Sequence, residues 1–78
     1  MSVSVRLYAG VRERAGVAEA SVEAASVGDV RAALAARFPA IAGQLRFCRF
    51  ALEDEFVDES APVPPGATVD VIPPVSGG

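Results

Sequence analysis

Ser26 to Pro39 is the stretch of the chain that combines helical periodicity with both a start and a stop signal. Ser26 is a good N-cap. Asp29, three residues on, completes a capping-box-like pair and places negative charge at the positive end of the helix dipole. Val27, Val30, Leu34 and Phe38 recur at helical spacing with Ala33 beside them, and Pro39 ends the run. The helix has one apolar stripe. A lone helix with one stripe needs a sheet to bury it, so the rest of the chain is expected to supply strands.

It does so at both ends. Ser2 to Tyr8 alternates strictly, with Val3, Val5 and Leu7 on one face and Ser2, Ser4, Arg6 and Tyr8 on the other. Residues 10–16 lie between two glycines and have room for only one or two helical turns. Residues 18–24 alternate again, with Ala20, Val22 and Ala24 inward, which gives a second, antiparallel strand. Ala40 to Leu45 reads as a crossing segment with a short helical turn. Phe47 to Leu52 reads as a third strand, Glu53-Asp54 as a turn and Phe56-Val57 as a short fourth strand. Pro62, Pro64, Pro65 and Gly66 impose a loop. Thr68 to Ile72 is the last strand, with Val69 and Val71 set against Thr68, Asp70 and Ile72. The expected class is α+β, a mixed sheet packed on one main helix.

Composition narrows the function. Seventy-eight residues with 51% apolar content make one small domain, neither a disordered tail nor a membrane-embedded chain. No apolar run approaches the ~18–20 residues of a spanning helix, and Met1 leads into alternation rather than a signal peptide, so no membrane is expected. The net charge of −3, with seven Arg and no Lys, argues against nucleic acid as a partner. With no His and one Cys, the commonest general base is missing, and so are disulfide, metal and cluster frameworks. A reducing, cytoplasmic setting fits a single thiol. The chain is expected to be no enzyme on its own, to hold no metal and to present something to a partner.

What it presents follows the last strand: Pro73-Pro74-Val75-Ser76-Gly77-Gly78. Two prolines cannot continue a ladder and favour an extended conformation, so residues 1–72 are expected to be the folded domain and 73–78 an extended tail. Six such residues reach ~20 Å, enough to enter another protein's active site. Gly77 and Gly78 carry no side chains and can thread a narrow channel, leaving a terminal carboxylate open to attack. A carboxylate is a poor electrophile, so a partner must activate it. The plain alternative is a frayed terminus, which also favours Ser and Gly.

Two segments carry a resemblance that covers the whole chain. One is Val5-Arg6-Leu7-Tyr8-Ala9-Gly10-Val11-Arg12-Glu13-Arg14-Ala15-Gly16. The other is Pro65-Gly66-Ala67-Thr68-Val69-Asp70-Val71-Ile72 followed by the Pro-Pro-Val-Ser-Gly-Gly ending. Together they resemble the β-grasp (ubiquitin-like) sulfur carriers, and among these the small subunits of molybdopterin synthase. Leu52-Glu53-Asp54-Glu55 departs from the Asn often found at that turn. The resemblance implies that an adenylyltransferase of the ubiquitin-activating type uses ATP to adenylate the Gly78 carboxylate. A sulfur donor protein then displaces AMP to leave a Gly78 thiocarboxylate. The tail, Pro73 to Gly78, enters the large synthase subunit, and its sulfur passes to cyclic pyranopterin monophosphate. It also implies a heterotetramer of two small and two large subunits, no permanently bound cofactor, and Phe56 and Ile72 as partner-interface residues. A carrier for the thiazole or cysteine pathways and a ubiquitin-like protein modifier are the competing readings.

The remaining candidates each have a plain reading. Cys48, between Phe47 and Arg49, reads as a small core or edge hydrophobe rather than the sulfur carrier. Glu53, Asp54, Glu55, Asp58 and Glu59 form either a solvated turn or a docking surface for basic groups. Phe56 and Ile72 are apolar anchors if exposed and core if not, and Ile72 is out of phase with Val69 and Val71. Arg12 and Arg14 either pair locally or meet a partner.

Overall fold

The computed structural model describes residues 2–74. The elements follow in the order β1 (Ser2–Leu7), α1 (Ala9–Ala15), β2 (Glu19–Glu23), α2 (Val27–Arg37), a 3-10 turn (Pro39–Ile41), α3 (Ala42–Leu45), β3 (Arg49–Leu52), β4 (Glu55–Val57) and β5 (Thr68–Ile72). The strands form one sheet in the order β2-β1-β5-β3-β4. β1 and β5 run parallel at its centre, and every other pairing is antiparallel. The expected mixed sheet on one main helix is what forms.

Alternation decides which side of the sheet meets α2. Val3, Val5, Val69 and Val71 are fully buried, and Val5 and Val69 are register partners on β1 and β5. From the helix, Val27, Val30 and Leu34 meet them, also fully buried, while Phe38 packs at the margin of the cluster. Burying a Val or Leu side chain stabilises by ~1.5–3 kcal/mol, so this two-layer stack is the main source of stability in so small a domain.

The start of α2 is held twice. Asp29 N–H donates to Ser26 Oγ at 3.2 Å, as the spacing predicts, and Asp29 Oδ2 accepts from Ala25 N–H, one residue before the cap. The Val27 and Gly28 amides donate to the carbonyls of Ala61 and Glu59 at 3.0 and 2.8 Å. Helix-terminal amides with no intrahelical acceptor are thus satisfied by the loop before β5, which fixes that loop against the helix.

Two expectations need adjustment. β3 begins at Arg49 rather than Phe47. The Phe47 and Cys48 amides donate to Gln44 and Leu45 carbonyls, closing the turn after α3, so they are not free for the ladder. The crossing segment holds both a 3-10 turn and α3, and Ile41 and Leu45 are buried there. The β3–β4 turn has Glu53 at φ 52° and Asp54 at φ 67°. Positive φ at both central residues is the backbone of a type I′ hairpin turn.

Candidate functional site: the outer face of the sheet

The sheet face turned away from α2 collects the side chains that alternation excludes from the core. Register lines up Arg6 with Asp70, Asp70 with Ala51, and Ala51 with Phe56, and two residues along it pairs Arg49 with Ile72. These residues therefore share one face, with Ile72 on the strand that leads directly into Pro73. Of the two residues expected to meet a partner, Phe56 is 53% exposed and Ile72 is half-buried beside Arg49. Val69 and Val71, with which Ile72 is out of phase, are fully buried on the opposite side.

The face also carries polar structure. Asp70 accepts hydrogen bonds from Arg6 Nε and from the Tyr8 hydroxyl, both at 3.1 Å. The nearby Asp70 carboxylate raises the Arg6 pKa. The Tyr8 phenol is also pushed above its ordinary value, first by desolvation and then by its bond to Asp70. Arg49 lies over the Phe56 ring with its guanidinium carbon 3.9 Å from the centroid, a cation–π stack. Tyr8 and Arg49 were not singled out from the sequence. For Tyr8 the signal was there, since it falls on the outward phase of the first strand. For Arg49 it was not, because its partners are set by long-range register.

The other candidates lie elsewhere. Cys48 sits in the turn before β3, half-buried, and its thiol donates to the Gln44 carbonyl at 3.3 Å. Burial raises its pKa, which disfavours the reactive thiolate. Glu53, Asp54, Glu55, Asp58 and Glu59 are all exposed, and Glu59 pairs with Arg31 at 2.6 Å. Arg12 and Arg14 are exposed on α1. Pro73 is half-buried and Pro74 exposed, whereas Val75, Ser76, Gly77 and Gly78 lie outside the described residues. Among the described residues no three His, Cys, Asp or Glu side chains are grouped to hold a metal ion. No described helix is long and apolar enough to cross a membrane.

A five-stranded mixed sheet with parallel central strands, one main helix behind it and a Gly-Gly segment following its central strand defines a small ubiquitin-like β-grasp protein. The chain belongs to the ThiS family, whose model matches residues 5–78, and it is a sulfur carrier of that type. It is 36% identical to the molybdopterin synthase sulfur carrier subunit of Chlamydomonas reinhardtii, with all of both chains covered. Among solved structures, SAMP1 from Haloferax volcanii superposes with a TM-score of 0.91 at 26% identity, over 100% of each chain. One chain of the protein–protein complex of subunits 1 and 2 of the molybdopterin-converting factor from Helicobacter pylori gives a TM-score of 0.76 at 26% identity, with 100% of this chain and 100% of that chain covered.

Proposed function

We propose that this chain is the sulfur-carrying subunit of a molybdopterin synthase and that the reacting group is the carboxylate of Gly78. The observation that carries the reading is the 36% identity to the Chlamydomonas carrier subunit over all of both chains, together with the Pro-Pro-Val-Ser-Gly-Gly segment that follows β5. An adenylyltransferase of the ubiquitin-activating type joins the Gly78 carboxylate to the AMP of ATP and releases pyrophosphate. Sulfide handed over by a sulfur donor protein then attacks the acyl-adenylate, a C–S bond replaces the C–O bond to AMP, and AMP departs to leave a Gly78 thiocarboxylate. ATP is a substrate of that partner and not a cofactor of this chain. The thiocarboxylate is a soft nucleophile delivered on an arm, and it gives up its sulfur to cyclic pyranopterin monophosphate inside the large subunit.

This division of labour suits the residues present. The chain has no His, and its thiol is buried towards the neutral form. Its own contribution is to hold the arm at the end of β5 and to offer the outer face, with Phe56 and Ile72, to the large subunit. Two copies of each subunit would make the complete synthase, working in the cytoplasm.

The test is the intact mass after incubation with ATP, the activating enzyme and a sulfur donor. One oxygen-for-sulfur exchange, lost when Gly78 is deleted, is the expected result. A Gly78 deletion with normal synthase activity would refute the reading. The likeness to SAMP1 supports a second reading, a modifier joined through Gly78 to the lysines of other proteins. Adducts on those proteins, without sulfur exchange, would establish it instead. Sulfur exchange that feeds thiazole or cysteine synthesis and leaves molybdopterin unmade would keep the carrier and change its pathway.

A further inference from the structure

Three of the chain's seven arginines, Arg31, Arg46 and Arg49, line one open concavity of about 400 Å³ where β4 forms the edge of the sheet. Arg31 is committed to Glu59, at 2.6 Å. Arg46 and Arg49 have no carboxylate partner among the described residues. Each instead approaches an aromatic ring, Arg46 at 5.5 Å from the Phe47 centroid and Arg49 at 3.9 Å from that of Phe56. A guanidinium laid over a ring keeps its in-plane N–H donors free, and that edge fits a carboxylate in two-pronged fashion. Phe47 and Phe56 are themselves 65% and 53% exposed, leaving aromatic surface beside both cations.

Bulk charge is not what the concavity offers. Asp58 and Glu59 share its lining, so the surplus of three arginines over two acids is a single positive charge on a chain of net −3. Paired geometry has to supply the recognition. Two forks next to two exposed rings match a peptide that carries carboxylates on both sides of an aromatic side chain better than they match a lone anion. Arg49 is also the register partner of Ile72, so the patch continues to the strand end from which the C-terminal segment departs.

We propose that Arg46 and Arg49, backed by Phe47 and Phe56, form a docking site for an acidic, aromatic-containing peptide segment of a partner protein, each guanidinium receiving one carboxylate. The proposal rests on the reading of the chain as a carrier gripped by other proteins, and it specifies the chemistry of the gripping segment. Such a contact steers encounter and fixes orientation, and it weakens as salt screens it.

The experiment titrates the 15N-labelled full chain, at low salt, with an acetylated Glu-Asp-Phe-Glu-Asp peptide and follows the amide shifts. The same peptide with lysines in place of its acids and inorganic phosphate alone serve as comparison probes. The shifts are expected to concentrate at residues 46–49 and 55–57 and to fade at high salt. In the Arg46→Ala/Arg49→Ala variant, whose dispersed spectrum shows that it is folded, the dissociation constant should rise about tenfold or more. Arg46→Lys/Arg49→Lys should recover only part of the affinity, because an ammonium lacks the fork. Shifts centred elsewhere, equal binding by the double variant or by the lysine peptide, or displacement by phosphate at matched concentration would each overturn the site. None of these measurements uses Gly78 or a sulfur donor. Sulfur loading that persists without peptide binding removes the docking site alone, and peptide binding without sulfur loading removes the carrier role alone.

Discussion

Asp70 decides how the outer face is arranged at the scale of single residues. It faces away from the core between Val69 and Val71, and its carboxylate takes hydrogen bonds from two β1-side groups, Arg6 Nε and the Tyr8 hydroxyl. The phenol bound to it holds its proton more tightly than a free phenol. Tyr8 is the chain's only tyrosine and there is no tryptophan, so the ultraviolet titration of tyrosinate reports this one group. The midpoint should lie above the ordinary phenol range, and Asp70→Asn should lower it by removing the carboxylate's charge. A group whose folded pKa is raised stabilises the fold fully below its unfolded pKa, and that contribution is lost as pH rises through the folded value. Melting scans of the wild type and Asp70→Asn across the alkaline range should therefore show the wild type losing more stability over that window. An unchanged midpoint in Asp70→Asn would mean that the bond is absent in solution.

At the scale of elements, the contrast between α2 and β3 shows what the sequence can disclose. The Ser26 cap, the Val27–Val30–Leu34 stripe and the Pro39 stop all act within a few residues of one another, and each is where the spacing puts it. β3 starts later than alternation suggests because α3 consumes the Phe47 and Cys48 amides, a competition that apolar periodicity does not register. Likewise the Arg49–Phe56 stack follows from β3–β4 register, and the Arg6–Asp70 pair joins residues 64 apart in the chain. The outward phase of a strand was legible; which outward residues become neighbours was not. The β3–β4 turn adds a conflict between sequence and backbone, since Glu53 and Asp54 both hold the left-handed conformation, which costs most non-glycine residues ~1–2 kcal/mol. Replacing Glu53-Asp54 with Asn-Gly, the pair that a type I′ turn prefers, should stabilise the domain by ~1 kcal/mol, or ~4–8 °C in Tm for a chain of this size. The control Glu53→Gln/Asp54→Gln removes the same charges without supplying left-handed residues. If the control gained as much, charge relief rather than turn geometry would be the cause.

At the scale of the whole molecule, the parallel pairing of β1 and β5 separates the first residue of β1 from the last residue of β5. Ser4 lies beside Thr68 and Leu7 beside Val71, so the start of β1 and the end of β5 are at opposite ends of the central strand pair. At ~3.3 Å per residue, the five-residue length of β5 puts them more than ~13 Å apart. A protein fused ahead of β1 therefore joins the sheet at the end away from Pro73, whereas residues added after Gly78 turn the proposed reacting carboxylate into an amide. The core is indifferent to both changes, because it is built from the α2 stripe and the inner faces of β1 and β5. Both fusions should melt close to the unmodified chain. They should differ in chemistry: the N-terminal fusion should exchange oxygen for sulfur under ATP, activating enzyme and donor, and the C-terminal extension should not until it is cleaved back to Gly78. Sulfur loading by the uncleaved extension would place the acceptor atom elsewhere in the chain. Loading blocked by the N-terminal fusion alone would mean that partners approach from the β2 side of the sheet rather than across the face bearing Phe56 and Ile72.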